Sequence, residues 1–310
     1  MMSEPLSLRV GYPVPTEQHA AVLLSIETVL ELAGPLAEVR VPGEPGAVFL
    51  EDWQVTRAAL MARMASTLRH ISYLVPSMSR LDGAALCRTL VDHVIHYAWI
   101  SADPPARLPR FLRKTYNSAL SKHARWAERG ETLLTPELHA HYTAFIATHP
   151  EGPGKLRPMA ATVDTNWLND VRAAAPAPLQ MVSMSELYEW VYDPFADLDH
   201  PSAAALQSFV HLDPNGPAAW VDGEPERDAV TDMRPFWLAV WAIIWALTVA
   251  ELTQGRPGRS ALQAAIQRVR ALREYDRHGL LDVRTTADGM VIGLVADADE
   301  QIAAITRANG

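Results

Sequence analysis

Three ionisable side chains, Arg88, Asp92 and His96, follow one another at four-residue steps through an apolar stretch that also contains Leu86, Leu90, Val94, Ile95 and Tyr97. On an α-helix that spacing puts all three on one face. Burying an unpaired ion is costly, so these groups must satisfy one another, meet partners from other elements, or line a polar cavity. The alternative without chemistry is an Arg88–Asp92 ion pair that fixes helix register. A second polar group lies far downstream. Tyr188 and Tyr192 stand one helical turn apart and Ser208 and His211 three residues apart, so each pair can face a common side and line one pocket. The same residues also fit a plain core, with satisfied tyrosine hydroxyls and Ser208 bonded back to its own helix. With His93 beside the first face, the candidate catalytic residues are Arg88, Asp92, His93, His96, Tyr188, Tyr192, Ser208 and His211.

Other chemistries find less support. His93, His96, His200 and His211, with Asp92, Asp197 and Asp199, supply nitrogen and oxygen ligand types, but the chain has no His-Glu-x-x-His and no pair of Glu-x-x-His helices. Neither a metal nor another cofactor is expected. Ser208 lacks the Gly-x-Ser-x-Gly elbow of a hydrolase nucleophile. The run Glu151-Gly152-Pro153-Gly154-Lys155 has a lysine but lacks the first glycine, the Ser/Thr and the preceding strand of a phosphate loop. The single cysteine, Cys87, adjoins Arg88, whose charge could activate it, yet a buried small hydrophobe is the simpler reading. His139 and His141 fall in a short polar segment and read as solvated.

The elements that must position these groups are mostly helices. Helical spacing runs over residues 17 to 39, from 48 to 74, and from 84 to 100, the last apolar nearly all round and therefore central. Asp103-Pro104-Pro105 stops it, and a helix from Arg107 to Glu128 follows. Its Arg107, Arg110, Arg113, Lys114, Lys122 and Arg125 form the main basic face, the candidate nucleic-acid-binding surface. Gly152, Gly154 and several prolines predict an irregular connector near 150–180. Helical pattern returns at Ser185–Val191 and Ser202–Leu212, then in a tryptophan-bearing helix and from Ser260 to about Tyr275. Alternation at Leu280–Arg284 and Met290–Val295 around Ala287-Asp288-Gly289 predicts a hairpin, followed by a last helix from Asp297. The expected fold is mostly α: a helical bundle over 1–254 with a small C-terminal β-hairpin, the helix, hairpin and helix of 255–310 being packed on the bundle. A winged DNA-binding domain has the same helix-then-hairpin order, but no helix rich in base-contacting side chains accompanies it.

Composition bounds the rest. The chain has 310 residues, 49% of them hydrophobic, and a formal net charge of −9, which provides a sizeable core and argues against a general nucleic-acid coat or adhesion to anionic membranes through net charge. A lone cysteine excludes an intramolecular disulfide and a thiolate zinc cluster. The first residues lack the basic start and unbroken apolar run of a secretory signal. A cytoplasmic protein is expected. The apolar stretch Pro235 to Ala250 falls short of the roughly 20 residues a spanning helix needs, and Arg234 and Glu251 close it off. It reads as a core or interface helix, with Trp237, Trp241 and Trp245 as one stripe that could join two copies in a homodimer.

The stretch Cys87-Arg88-Thr89-Leu90-Val91-Asp92-His93, then Leu187-Tyr188-Glu189-Trp190-Val191-Tyr192, then Ser208-Phe209-Val210-His211 resembles a bacterial helical family catalogued as domain of unknown function 5677. The resemblance covers roughly residues 50 to 215, with a longer segment between Asp193 and Ser208, and implies no established activity. Arg88 and His93 also resemble the arginine, four residues, histidine motif of the HEPN helical superfamily, many of whose members are metal-independent ribonucleases acting as dimers. That resemblance implies Arg88 on the phosphate, His93 as acid or base, Asp92 orienting a partner, and RNA as the partner held by the basic helix. Thr89 departs from it, standing where those ribonucleases place Asn, Asp or His. Five residues also separate the pair by about 140° around a helix, so they converge only on a substrate lying across it or shared with a second subunit. The competing expectation is a non-enzymatic interaction or ligand-binding protein whose polar groups close a buried network.

Overall fold

A computed structural model describes residues 17–38, 49–75, 80–152, 154–174, 181–199, 210–212, 219–221, 233–278, 281–286, 289–295, 297–298 and 300–301. The fold is mostly α-helical. Nine helices are present among the described residues: α1 (Glu17–Ala33), α2 (Trp53–Leu74), α3 (Arg80–Ser101), α4 (Pro104–Ala127), α5 (Pro136–Thr148), α6 (Leu156–Ala174), α7 (Met184–Asp199), α8 (Arg234–Gln254) and α9 (Arg259–Arg277).

Local chemistry sets the ends of these helices. Gly34-Pro35 closes α1 in a 3-10 turn, Gly34–Leu36. The Asp52 carboxylate accepts from the Gln54 amide at 2.7 Å and starts α2. Asp103 does the same for α4 through the Ala106 amide, and Pro104 and Pro105 occupy the first turn, where a missing N–H removes no helix bond. Asp82 lies inside the first turn of α3. Gly255, with φ of 65°, takes the left-handed conformation that ends α8.

The expected all-round burial of the third helix is what makes α3 central: it packs against α2, α4, α6, α7 and α8. Leu90, Val91, Val94, Ile95, Ala98 and Ile100 are all fully buried, each large side chain worth about 1.5–3 kcal/mol of burial. Phe236 of α8 packs onto Gly83, where an added Cβ would stand 2.6 Å from its Cε1. One turn further on, the Cys87 thiol donates to the Pro235 carbonyl at 3.1 Å, and burial pushes that thiol's pKa up, as expected of an inert core cysteine.

Three expectations change. The irregular connector near 150–180 holds α6, Leu156–Ala174. Its Pro158 sits in the first turn, where backbone N–H groups have no helical partner to lose, so a proline-rich sequence still forms a helix. Val210–Leu212 is extended and paired with Ala219–Val221, so the Ser202–Leu212 helix does not reach its expected end. Of the core and interface readings of α8, its tryptophans serve the core and not a stripe that joins two copies: Trp237 is 9% exposed, and Trp245 is fully buried with its indole donating to the Val182 carbonyl at 3.0 Å. A helix this apolar is enclosed by the rest of the bundle, leaving Trp241 partly buried. Pro235–Gln254 is long and apolar enough to cross a membrane, and 72% of its most apolar window lies buried inside the protein.

Candidate functional site

The polar face of α3 divides between two neighbours. Toward α7, Arg88 Nη2 donates to the Tyr192 hydroxyl at 3.1 Å, and its guanidinium lies 4.2 Å from the centre of the Tyr192 ring. Tyr188 stacks on Tyr192 with ring centres 4.6 Å apart. The tyrosine pair shares one side of α7, and Tyr192 of that pair meets Arg88. What holds α7 in place is a cap from another helix: Asp164 of α6 accepts from the Met184 amide at 2.6 Å, the Ser185 amide at 2.9 Å and the Ser185 hydroxyl at 2.5 Å. A capping box reinforces it, the Glu186 carboxylate accepting from the Ser183 amide while Ser183 Oγ accepts from the Glu186 amide. The Ser183 backbone and hydroxyl hold the Glu186 carboxyl below its ordinary pKa.

Toward α4, His96 is the pivot. Its Nδ1–H donates to the Asp92 carbonyl at 2.9 Å and lies 3.0 Å from Asp92 Oδ1. Because both neighbours are acceptors, Nδ1 carries a proton, and Nε2 is the ring nitrogen left for another partner. Asp92 Oδ1 is sheltered from water and accepts no hydrogen bond, since Nδ1–H is aimed at the carbonyl; the carboxylate acts on His96 as a neighbouring charge. Among the described residues Asp92 thus pairs with His96 and not with Arg88. His93 does not join either group. Its Nδ1–H donates back to the Thr89 carbonyl at 2.5 Å on its own helix. Arg88 and His93, taken up by different neighbours, do not converge within this chain.

The basic helix is also divided. Arg107 is tied down, donating to the Trp99 carbonyl at 2.7 Å with its guanidinium 5.3 Å from the Trp99 ring centre, so it closes the C-terminal end of α3. Desolvation lowers its pKa, as does Arg110, against the opposing pull of Asp103. Arg113 donates to the His149 carbonyl and lies 3.7 Å from Glu151, which fastens the segment after α5 onto α4. That segment comes so close that a Cβ on Gly152 would stand 2.8 Å from the Arg110 carbonyl oxygen, so a glycine is required there. Arg110 and Lys114 are exposed and make no hydrogen bond or ion pair among the described residues. Lys122 and Arg125 continue outward along the helix, both exposed.

Between α3, α4 and the 151–154 segment lies a cavity of about 350 Å³. His96, Trp99 and Met159 form its deep side, with Phe111 and Ile146; Arg110, Arg113, Lys114, Asn117, Glu151, Gly152 and Gly154 line the rest. His96 is 16% exposed and its ring stands 5.2 Å from that of Phe111. This cavity was missed from the sequence, because His96 and the 151–154 segment meet Arg110 and Lys114 only through tertiary packing. The sequence signal was present in the basic face, without the partner that turns it into a concave site.

Of the remaining candidates, Ser208 lies outside the described residues, and His211 belongs to the extended Val210–Leu212, opposite Trp220, not to one helix with Ser208. His141, read as solvated, instead donates through Nε2–H to Glu51 Oε1 at 2.7 Å, an oxygen that also accepts from the Tyr116 hydroxyl at 3.3 Å. Tyr116 in turn stacks on Tyr142 at 4.0 Å, and burial with the nearby Glu51 charge raises its pKa. Among the described residues no group of three or more His, Cys, Asp or Glu is placed to hold a metal ion. Comparison with protein-family models, curated proteins and solved structures gives no match.

Proposed function

We propose that the protein binds the phosphate backbone of single-stranded RNA along α4. One observation carries this reading: exposed cations on α4 line a cavity together with His96, in a protein of net charge −9. Arg107, Arg110, Lys114, Lys122 and Arg125 fall within a sector of about 120° on the helix, opposite the buried Leu108, Leu112 and Tyr116. A row of cations along one helix suits a polyanion, whose neutralisation releases counterions. The likeness to the HEPN superfamily points to the same partner. Its catalytic form, a metal-independent endoribonuclease built on Arg88 and His93, has less geometric support, since the two side chains serve different neighbours. The Arg88–Tyr192–Tyr188 cluster favours the second reading, a non-enzymatic binding protein whose polar network is closed from within.

The proposed architecture keeps a small C-terminal β-hairpin, supported by the antiparallel register of Leu281 with Leu294 and Thr286 with Gly289. A cytoplasmic setting remains part of the proposal; the homodimer expected through Trp237, Trp241 and Trp245 has only the partly buried Trp241 left to support it.

Fluorescence anisotropy with a labelled 5′-hydroxyl single-stranded RNA tests the binding. Affinity should fall steeply with salt, and reversing Arg110, Lys122 and Arg125 together to Glu should weaken it at least about 30-fold and flatten the salt slope. RNA that binds no better to the parent protein than to that variant removes the reading. Incubation with RNA in EDTA addresses cleavage: activity abolished by both Arg88→Ala and His93→Ala supports the ribonuclease form, and intact RNA over long incubation removes it.

A further inference from the structure

We propose that the cavity between α3, α4 and the 151–154 segment is a site for a phosphomonoester of a planar heteroaromatic group, of the size of a nucleoside monophosphate. The inference deepens the RNA-binding reading by naming what this part of the surface accepts.

Its lining first selects charge. Arg110, Arg113 and Lys114 face it against a single carboxylate, Glu151, which is 86% exposed and only 3.7 Å from Arg113. Arg113 is already committed to Glu151 and the His149 carbonyl. The uncompensated charge therefore belongs to Arg110 and Lys114. Two like charges held at one concavity of an acidic protein raise the local concentration of anions, and a guanidinium beside an ammonium matches a dianionic phosphate.

The deep side selects the rest of the ligand. Trp99 is 5% exposed and Met159 3%, and Phe111 and Ile146 complete an apolar wall. A free phosphate would leave that wall unused. A planar ring attached to the phosphate would cover it, as bases do when they pack on aromatic side chains. His96 supplies a polar atom on this side: with Nδ1 held by Asp92, its Nε2 remains to meet a polar atom of the ring or a ribose hydroxyl. A volume of about 350 Å³ is at the small end of ligand pockets, enough for one ring system and its phosphate and too little for an oligonucleotide. The ligand is therefore either a free mononucleotide or the 5′-phosphorylated end of a strand that continues along α4 toward Lys122 and Arg125.

Isothermal titration of the full chain with 5′-AMP, adenosine and inorganic phosphate tests the site. AMP should bind at least about tenfold more tightly than either fragment, since each lacks one of the two anchoring regions. Arg110→Glu and Lys114→Glu should each weaken AMP at least about tenfold, whereas Arg268→Glu, which reverses an exposed cation on α9, should leave it unchanged within about twofold. Circular dichroism confirms that the exposed-site variants fold. Adenosine or phosphate binding as tightly as AMP, or equal losses in Arg110→Glu and Arg268→Glu, overturns the inference. Two RNA arms distinguish the sources. A strand with a 5′-phosphate that binds at least fivefold better than its 5′-hydroxyl form, and is displaced by AMP, identifies a chain end; AMP binding with no preference between the strands identifies a free nucleotide. RNA bound along α4 with no binding of AMP overturns this inference and leaves the RNA reading standing, and the reverse pattern does the opposite.

Discussion

Asp164 stands on α6, yet its main partners are on α7. Its two carboxylate oxygens receive two backbone N–H groups from the first turn of α7 and one hydroxyl, at 2.5 to 2.9 Å. A helix start leaves amides without helical partners, and a carboxylate there also meets the positive end of the helix dipole. Since α7 carries Tyr192, which receives Arg88, and Tyr188, which stacks on it, this one side chain links the bundle to the Arg88 cluster. Asp164→Ala should therefore lower stability by about 2 kcal/mol, the upper range for a lost cap, in urea unfolding. Glu186→Ala, which removes a largely exposed capping-box partner, should cost less. If the two cost the same, the interhelical cap has no special role.

At the scale of elements, Gly83 of α3 lies against the Phe236 ring of α8, and the prediction there turns on two opposing terms. Alanine in a helix interior is favoured over glycine by about 0.8–1 kcal/mol. A Cβ 2.6 Å from Cε1 and 2.9 Å from Cζ of Phe236, a ring only 1% exposed, must displace a side chain with nowhere to go, which costs about 1–3 kcal/mol. The clash wins, so Gly83→Ala should destabilise by about 1–2 kcal/mol, and Gly83→Ala with Phe236→Leu should recover part of it. A stabilised single variant in thermal unfolding would mean the helices can separate freely. Such contacts also show why only part of the architecture was legible in the sequence. The polar face of α3, the basic face of α4 and the tyrosine pair are local periodicities, and periodicity is what a sequence displays. The helix α6 was hidden because Pro158 and the flanking prolines and glycines look like breakers until their positions relative to the helix start are known. His141 looked solvated because its partner, Glu51, is 90 positions away, and the cavity was invisible because Gly152 meets Arg110 only after α5 has turned the chain back.

For the molecule as a whole, binding and stability are separable at the cavity in a way they are not at the Arg88 cluster. A charge that supports the fold has a partner; Arg110 and Lys114 have none among the described residues and stand near Arg113, another cation. Two exposed unit charges about 8 Å apart repel by roughly 0.5 kcal/mol in water, and less at physiological salt, where the screening length is similar. Removing one cation relieves that local repulsion while slightly raising the net negative charge of a protein already at −9, and the two effects nearly cancel. Lys114→Gln should thus leave the unfolding free energy in urea within about 0.5 kcal/mol of the parent while weakening AMP and RNA together. Sites maintained for a ligand typically carry such unfavourable clusters, which ligand binding to the folded state relieves. Arg88→Gln should show the converse, a clear loss of stability from the broken contact with Tyr192 and little change in affinity. Denaturant titration of both variants, with anisotropy on the same preparations, decides the matter: a Lys114→Gln protein that loses stability in proportion to its affinity would place that lysine in the fold, and the cavity would lose its strongest claim to a ligand.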